Sequence, residues 1–235
     1  MVDFKPILPQ AFSSNKIHKA GHRGHLCALI VDESGSMHPY RDDTIGGMNL
    51  FIDEQKKDKE KTYLSIFKFE GVEIKTLANN VPIQDIPTIT EKDYAPNGST
   101  NLIDAIVFAI DNINKQLGEM REEDRPSVFI QIITDGYENS SRTPVQVGKD
   151  MVKEAESQEW GITFIGANID TIQAGASLGL AATQTMSYDP QNVTHAYANM
   201  SSSVSRMKSM RSANVNMADI RAQAWSEEKK EEESK

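Results

Sequence analysis

Three short stretches of this chain are apolar at nearly every position: Leu26-Cys27-Ala28-Leu29-Ile30-Val31, Val128-Phe129-Ile130-Gln131-Ile132-Ile133 and Gly161-Ile162-Thr163-Phe164-Ile165-Gly166. Such unbroken runs, too short for helices, fit strands covered on both faces, as in a parallel sheet between helical layers. A different pattern follows in Tyr63–Phe69, which alternates, turns at Gly71 and returns through Val72–Leu77 as a hairpin. Helical spacing fills the intervals. Ile45, Met48, Asn49 and Ile52 mark a helix over Tyr40–Lys57, and Leu102, Ala105, Ile106, Ala109, Ile110, Ile113 and Leu117 mark one that stops near Gly118. Thr143–Gln158 reads as a helix with Pro144 in its first turn, where the missing N–H is harmless. Asp170–Leu178 is a short helix, Ala182–Met186 an edge strand and Asp189–Met210 a closing helix, while Asn79–Ser99, with Pro82, Pro87, Pro96 and Gly98, is mostly loop. Strands alternating with helices predict a three-layer, doubly wound α/β fold with a mostly parallel sheet and one antiparallel hairpin strand.

The pattern also sets boundaries. Residues 1–24 lack periodicity and form an N-terminal arm, residues 25–211 form the domain, and residues 212–235 form a flexible charged tail. A chain of 235 residues is enough for one such core plus appendages. The net charge of -9, part of it in Glu227–Glu233, argues against a nucleic-acid binder that works by neutralising phosphates. Cys27 is the only cysteine, so no intrachain disulfide forms. The opening residues lack the apolar run of a signal peptide, and the longest apolar runs fall far short of the ~20 residues that span a bilayer. The expected setting is therefore the cytoplasm, away from membranes.

The chemistry sits where strands end. Asp32-Glu33-Ser34-Gly35-Ser36 follows the first apolar run, Asp135 follows the second, and Gly98-Ser99-Thr100 precedes the long amphipathic helix. In open α/β sheets, ligands bind beyond the carboxyl ends of the strands. Asp32, Ser34, Ser36, Thr100 and Asp135 all offer oxygen, and oxygen-only sets suit hard cations, Mg²⁺ above all or Mn²⁺. Residues 32, 34 and 36 alternate, so a nearly extended loop presents all three on one side, and Gly35 lets the backbone bend closely.

Asp-x-Ser-x-Ser after a buried strand, a distant Thr in Gly-Ser-Thr, and Ile-Thr-Asp-Gly after another strand resemble the metal-ion-dependent adhesion site of von Willebrand factor A domains. All five motif positions are present, and the resemblance covers about residues 25–210. It implies that Ser34, Ser36 and Thr100 bind the metal through hydroxyls while Asp32 and Asp135 act largely through bridging waters. An ion held by neutral hydroxyls keeps much of its charge and attracts an outside carboxylate. The implied partner is a protein presenting an Asp or Glu. The chain looks similar to free-standing bacterial or phage versions of the domain, which resemble adaptors or regulators, so the cytoplasm is a host's if a phage encodes it.

Two other functions compete with metal-dependent protein binding without catalysis. One is a Mg²⁺-dependent hydrolase or phosphatase, but the chain has no phosphate loop, nucleophile elbow or His-Glu-x-x-His helix, and only His38 is local to the serines. The other is an accessory subunit of an ATP-driven remodelling machine. His18, His22 and His25, with Cys27, suggest zinc by spacing, against which stands a polar arm leading into a strand. Asp104, one turn after Thr100, either braces the site or is a solvated helix residue. Tyr137, Glu138 and Asn139 share the rim and either touch a partner or are plain surface. Met200, Met207, Met210 and Met217 read best as the packing face of a terminal helix.

Overall fold

A computed structural model describes residues 24–189 and 192–223. Within them, β1 (His25–Asp32), β2 (Thr62–Glu70), β3 (Glu73–Pro82), β4 (Ser127–Thr134), β5 (Gly161–Gly166) and β6 (Thr185–Ser187) form one sheet in the order β3-β2-β1-β4-β5-β6. Every neighbouring pair is parallel except β2 and β3. That hairpin turns at Gly71, whose φ of 55° lies in the region that favours glycine.

Six helices cover the sheet in the described residues: α1 (Arg41–Lys57), α2 (Leu102–Gly118), α3 (Val145–Ser157), α4 (Thr171–Ser177), α5 (Val193–Ser212) and α6 (Met217–Ala222). The unbroken apolar run of β1 is explained by its two faces. Cys27, Leu29 and Val31 join a core with Met48 and Phe51 of α1 and Tyr197, Met200 and Val204 of α5. Leu26, Ala28 and Ile30 join a second core with Ile106 and Ile110 of α2 and Val152 of α3. Helices α1 and α5 pack closely because Gly47 has no side chain, and a Cβ there would overlap the Tyr197 ring.

Strand order reverses between β1 and β4: the chain leaves β1 toward β2 on one side and leaves β4 toward β5 on the other. A crevice opens beyond the carboxyl ends of strands at such a switch point. Asp32 ends β1 and Asp135 follows Thr134, the last residue of β4.

The structure departs from the sequence expectations in several places. Strand β3 runs on to Pro82 through residues read as loop; Asn80 has φ 53° and donates its N–H to Ser65 Oγ at 2.9 Å, within an irregular register that hides the strand pattern. Pro144 caps α3 from outside its first turn. The edge strand β6 is reduced to three residues after a 3-10 turn at 182–184. The segment expected to begin a flexible tail carries α6, which buries Met217 and Ile220 and ties Arg221 to the Trp160 and Glu156 carbonyls. Two buried apolar residues are too few to show a period in sequence. Met200 and Met207 are also buried, and Met210 packs against the same core.

The arm, His18, His22, Trp225 and the Glu227–Glu233 run lie outside the described residues. His25 sits in β1, with Nε2 3.2 Å from Ser212 Oγ and 3.6 Å from the Glu60 carboxylate. Cys27 faces the core, where burial pushes its thiol up to about 11. Among the described residues no three His, Cys, Asp or Glu side chains cluster as a metal site, and no helix is long and apolar enough to cross a membrane.

Candidate metal centre

The five oxygen-bearing side chains singled out by sequence meet at this crevice. Asp32 is fully buried at the end of β1. Its Oδ1 accepts the Ser34 N–H at 2.7 Å, which curls the following loop back over the strand end. Its Oδ2 accepts the Thr134 hydroxyl from β4 at 2.6 Å. Ser34 Oγ lies 3.1 Å from Ser36 Oγ, and Ser36 Oγ donates to Asp135 Oδ1 at 2.7 Å. Thr100 enters beside Gly136: a Cβ at that glycine would lie 3.3 Å from Thr100 Oγ1 and 3.9 Å from Ser36 Oγ. A side chain there would crowd the hydroxyls, so glycine keeps the space between them open.

The loop that carries the serines is held from the outside. Glu33 N donates to the Phe69 carbonyl at 2.9 Å, Asn97 N to the Glu33 carbonyl at 2.8 Å and Gly35 N to the Gly98 carbonyl at 3.0 Å. The buried Tyr94 hydroxyl donates to the Asp32 carbonyl at 2.6 Å. Glu33 itself turns inward, its Oε1 accepting Lys68 Nζ and the Ala95 N–H at 2.6 Å each. The proline-bearing segment before Thr100 is thus a clamp on the serine loop. Sequence reasoning missed this role, because contacts between residues about sixty positions apart leave no local signal.

The electrostatics are unbalanced. Burial pushes the Asp32 carboxyl up to about 6 despite hydrogen bonds from Thr134 and Ser34, and the nearby Asp135 adds to the rise. Asp135 is raised by burial too, against the Ser36 hydrogen bond that favours its charge. Among the described residues neither carboxylate forms an ion pair with Lys or Arg, whereas Glu33, one residue along, pairs with Lys68. Two buried carboxylates, three hydroxyls, no nitrogen and no sulfur make a donor set that fits a hard divalent cation.

The profile of the von Willebrand factor type A domain matches residues 28–213. The chain belongs to that family. Comparison with curated proteins returns no match. Among solved structures, proximal thread matrix protein 1 from the mussel byssus is similar at 15% identity and TM-score 0.55, covering 77% of this chain and 46% of that one. This chain therefore spans less than half of the mussel protein. Manganese-loaded TRAP protein from Plasmodium vivax is similar at 18% identity and TM-score 0.50, covering 75% and 72%. The pilus adhesin SpaC from Lactobacillus rhamnosus GG, in an open conformation, gives TM-score 0.64 at 9% identity, covering 79% and 30%. At such identities the likeness is one of fold.

In this von Willebrand factor A domain the rim residues divide by what they touch. Asn139 holds Thr100: its Oδ1 accepts the Thr100 N–H at 2.9 Å, and its own N–H donates to the Thr100 carbonyl at 3.1 Å. Glu138 caps the start of α2, accepting the Ile103 N–H at 2.9 Å and the Ser140 and Ser141 N–H groups at 2.8 and 2.6 Å. Asp104 is neither solvated nor hydrogen-bonded to the hydroxyl cluster; its carboxylate accepts the Arg142 and Thr143 N–H groups at 2.9 Å each and so fixes the loop entering α3. A lone acid in an otherwise apolar first helical turn was the available signal. Tyr137 remains 53% exposed on the rim.

Proposed function

We propose that this domain is a divalent-metal-dependent protein-binding module, an adaptor or regulator rather than an enzyme, whose centre is an intact metal-ion-dependent adhesion site. The observation that carries this is the convergence of buried Asp32, Ser34, Thr100 and Asp135 with the exposed Ser36 in one cluster, with no Lys or Arg paired to either carboxylate among the described residues. Ser34, Ser36 and Thr100 hold the ion through neutral hydroxyls. Asp135 orients Ser36 by accepting its hydroxyl hydrogen bond, and Asp32 fixes the Ser34 backbone, so both carboxylates would set the hydroxyl geometry and balance charge from behind. Bound there, Mg²⁺ or Mn²⁺ supplies an incompletely neutralised position for a carboxylate oxygen of an Asp or Glu on a partner protein. Solved structures of similar fold support a metal at this place: one is manganese-loaded, and a form of the mussel protein has a zinc-occupied motif of this kind.

The test is affinity capture on the immobilised full chain, in Mg²⁺ and in chelator, with Ser34→Ala and Asp135→Ala beside the wild type. A partner retained by the wild type in Mg²⁺ alone, and released when one of its own acidic residues is replaced by Ala, is the expected result. Equal retention in chelator or by both variants sinks the proposal.

A further inference from the structure

An apolar cavity adjoins the metal centre. It has a volume of about 110 Å³ and lies among the start of α2, the loop after β4, and helices α3 and α4, with Leu102, Tyr137, Val145, Phe164, Ala174 and Leu178 in its wall. Gly136, the residue whose missing side chain leaves room beside Thr100 Oγ1 and Ser36 Oγ, lines it as well. Cavity and centre therefore share the Gly136 backbone as a common border.

The polar groups in the wall are already engaged within the domain. The Glu138 carboxylate receives three backbone N–H groups and the Ser141 hydroxyl. Ser177 Oγ donates to the Ala174 carbonyl at 2.6 Å, and Tyr137 Oη accepts the Asp170 N–H at 2.8 Å. A polar group entering the cavity would lose its water for at most a residual bond to the Tyr137 or Ser177 hydroxyl, so an apolar occupant is favoured. Size narrows the choice. The volume is below the ~150 Å³ of a cavity that admits benzene, which leaves an aliphatic side chain. Tyr137 and Val145, 53% and 45% exposed, are two of only five large apolar side chains so exposed among the described residues, and both stand in this wall.

We infer that the cavity receives a Leu, Ile, Val or Met side chain of the partner, next in its chain to the Asp or Glu that seeks the metal. This rests on the metal-dependent function proposed above and adds a second determinant to it. The carboxylate supplies the metal contact, and the aliphatic neighbour discriminates between acidic sequences.

Two libraries of displayed peptides test it on the full chain, one with a fixed central Glu and one with a fixed central Gln, each selected in Mn²⁺ and in chelator. In Mn²⁺ the Glu library should enrich aliphatic residues beside the Glu by about tenfold, the scale on which apolar pockets discriminate. The Gln library should show no enrichment. Ala174→Leu fills the cavity and should erase the aliphatic preference while Glu and Mn²⁺ dependence persist. Ser177→Leu, at the exposed edge of the same cavity, replaces it if the first variant fails to fold. Glu peptides retained in Mn²⁺ with random, aromatic or charged neighbours overturn the cavity assignment and leave the metal reading standing. An aliphatic preference that survives in the filled variants also overturns it. No difference between Glu and Gln, or between Mn²⁺ and chelator, removes the metal reading and this inference with it.

Discussion

Asp32 and Glu33 are neighbours in the chain, both at most 1% exposed, yet they lie in opposite electrostatic surroundings. Glu33 carries its counter-charge with it: Lys68 Nζ sits 2.6 Å away, Lys75 Nζ stands 4.0 Å off, and the Ala95 N–H completes the contact. Burial lowers Lys68 from its ordinary value while Glu33 pushes it back, as in an internally closed pair. Asp32, by contrast, has only neutral donors, the Thr134 hydroxyl and Ser34, and the nearby Asp135 opposes its charge. A buried carboxylate with a built-in cation is part of the scaffold. One supplied only with neutral donors has no internal counter-charge, and that is the charge the proposed metal would supply.

The largest expected effect separates the two directly. Lys68→Met leaves Glu33 buried with only the more distant Lys75 as counter-charge, and should cost about 3–5 kcal/mol in urea denaturation, with Glu33→Gln in the same chain restoring much of it. Asp32→Asn in chelator should stay within about 1 kcal/mol of wild type, because no internal partner is lost and the Thr134 hydroxyl can reverse its hydrogen bond. Equal losses in both variants would erase the distinction.

Next in size is metal affinity. Asp135→Ala should weaken Mn²⁺ binding by about 100-fold in titration calorimetry. Consistent with that, Mn²⁺ at 100 times its dissociation constant should raise the unfolding free energy of the wild type by about 2.7 kcal/mol, measured by the same urea titration. In Asp135→Ala at the same Mn²⁺ concentration the rise should fall to about 0.4 kcal/mol. The smallest effect concerns position alone: Asn139→Ala removes the side-chain acceptor of the Thr100 N–H, leaves the backbone bonds to the Thr100 carbonyl, and should lower Mn²⁺ affinity by about tenfold, with the fold unchanged by circular dichroism.

Much of this arrangement is visible in the chain before any coordinates. β1, β4 and β5 are buried on both faces, and that burial writes itself as unbroken apolar runs. Asp32, Ser34, Ser36 and Asp135 follow the ends of β1 and β4, which a doubly wound sheet places side by side, and Thr100 lies just ahead of α2. What stayed hidden depends on distant pairing or on few residues. Lys68 occupies a polar position in an alternating strand and looks solvated, until Glu33, thirty-five residues away, is placed against it. Asn79 and Asn80 conceal the end of β3 because an edge strand with an irregular register tolerates them. Helix α6 holds on through Met217, Ile220 and the Arg221 hydrogen bonds, a set too small for periodicity to reveal.

In the proposed function an external dication supplies the counter-charge that Asp32 and Asp135 lack within the described residues. Crystals grown with Mn²⁺ and measured at the manganese absorption edge address it most directly. One anomalous peak per chain is expected, about 2.0–2.2 Å from the Ser34 and Ser36 hydroxyl oxygens and within reach of Thr100, as for small hard dications. An empty crevice, or a manganese peak only elsewhere on the chain, would contradict it.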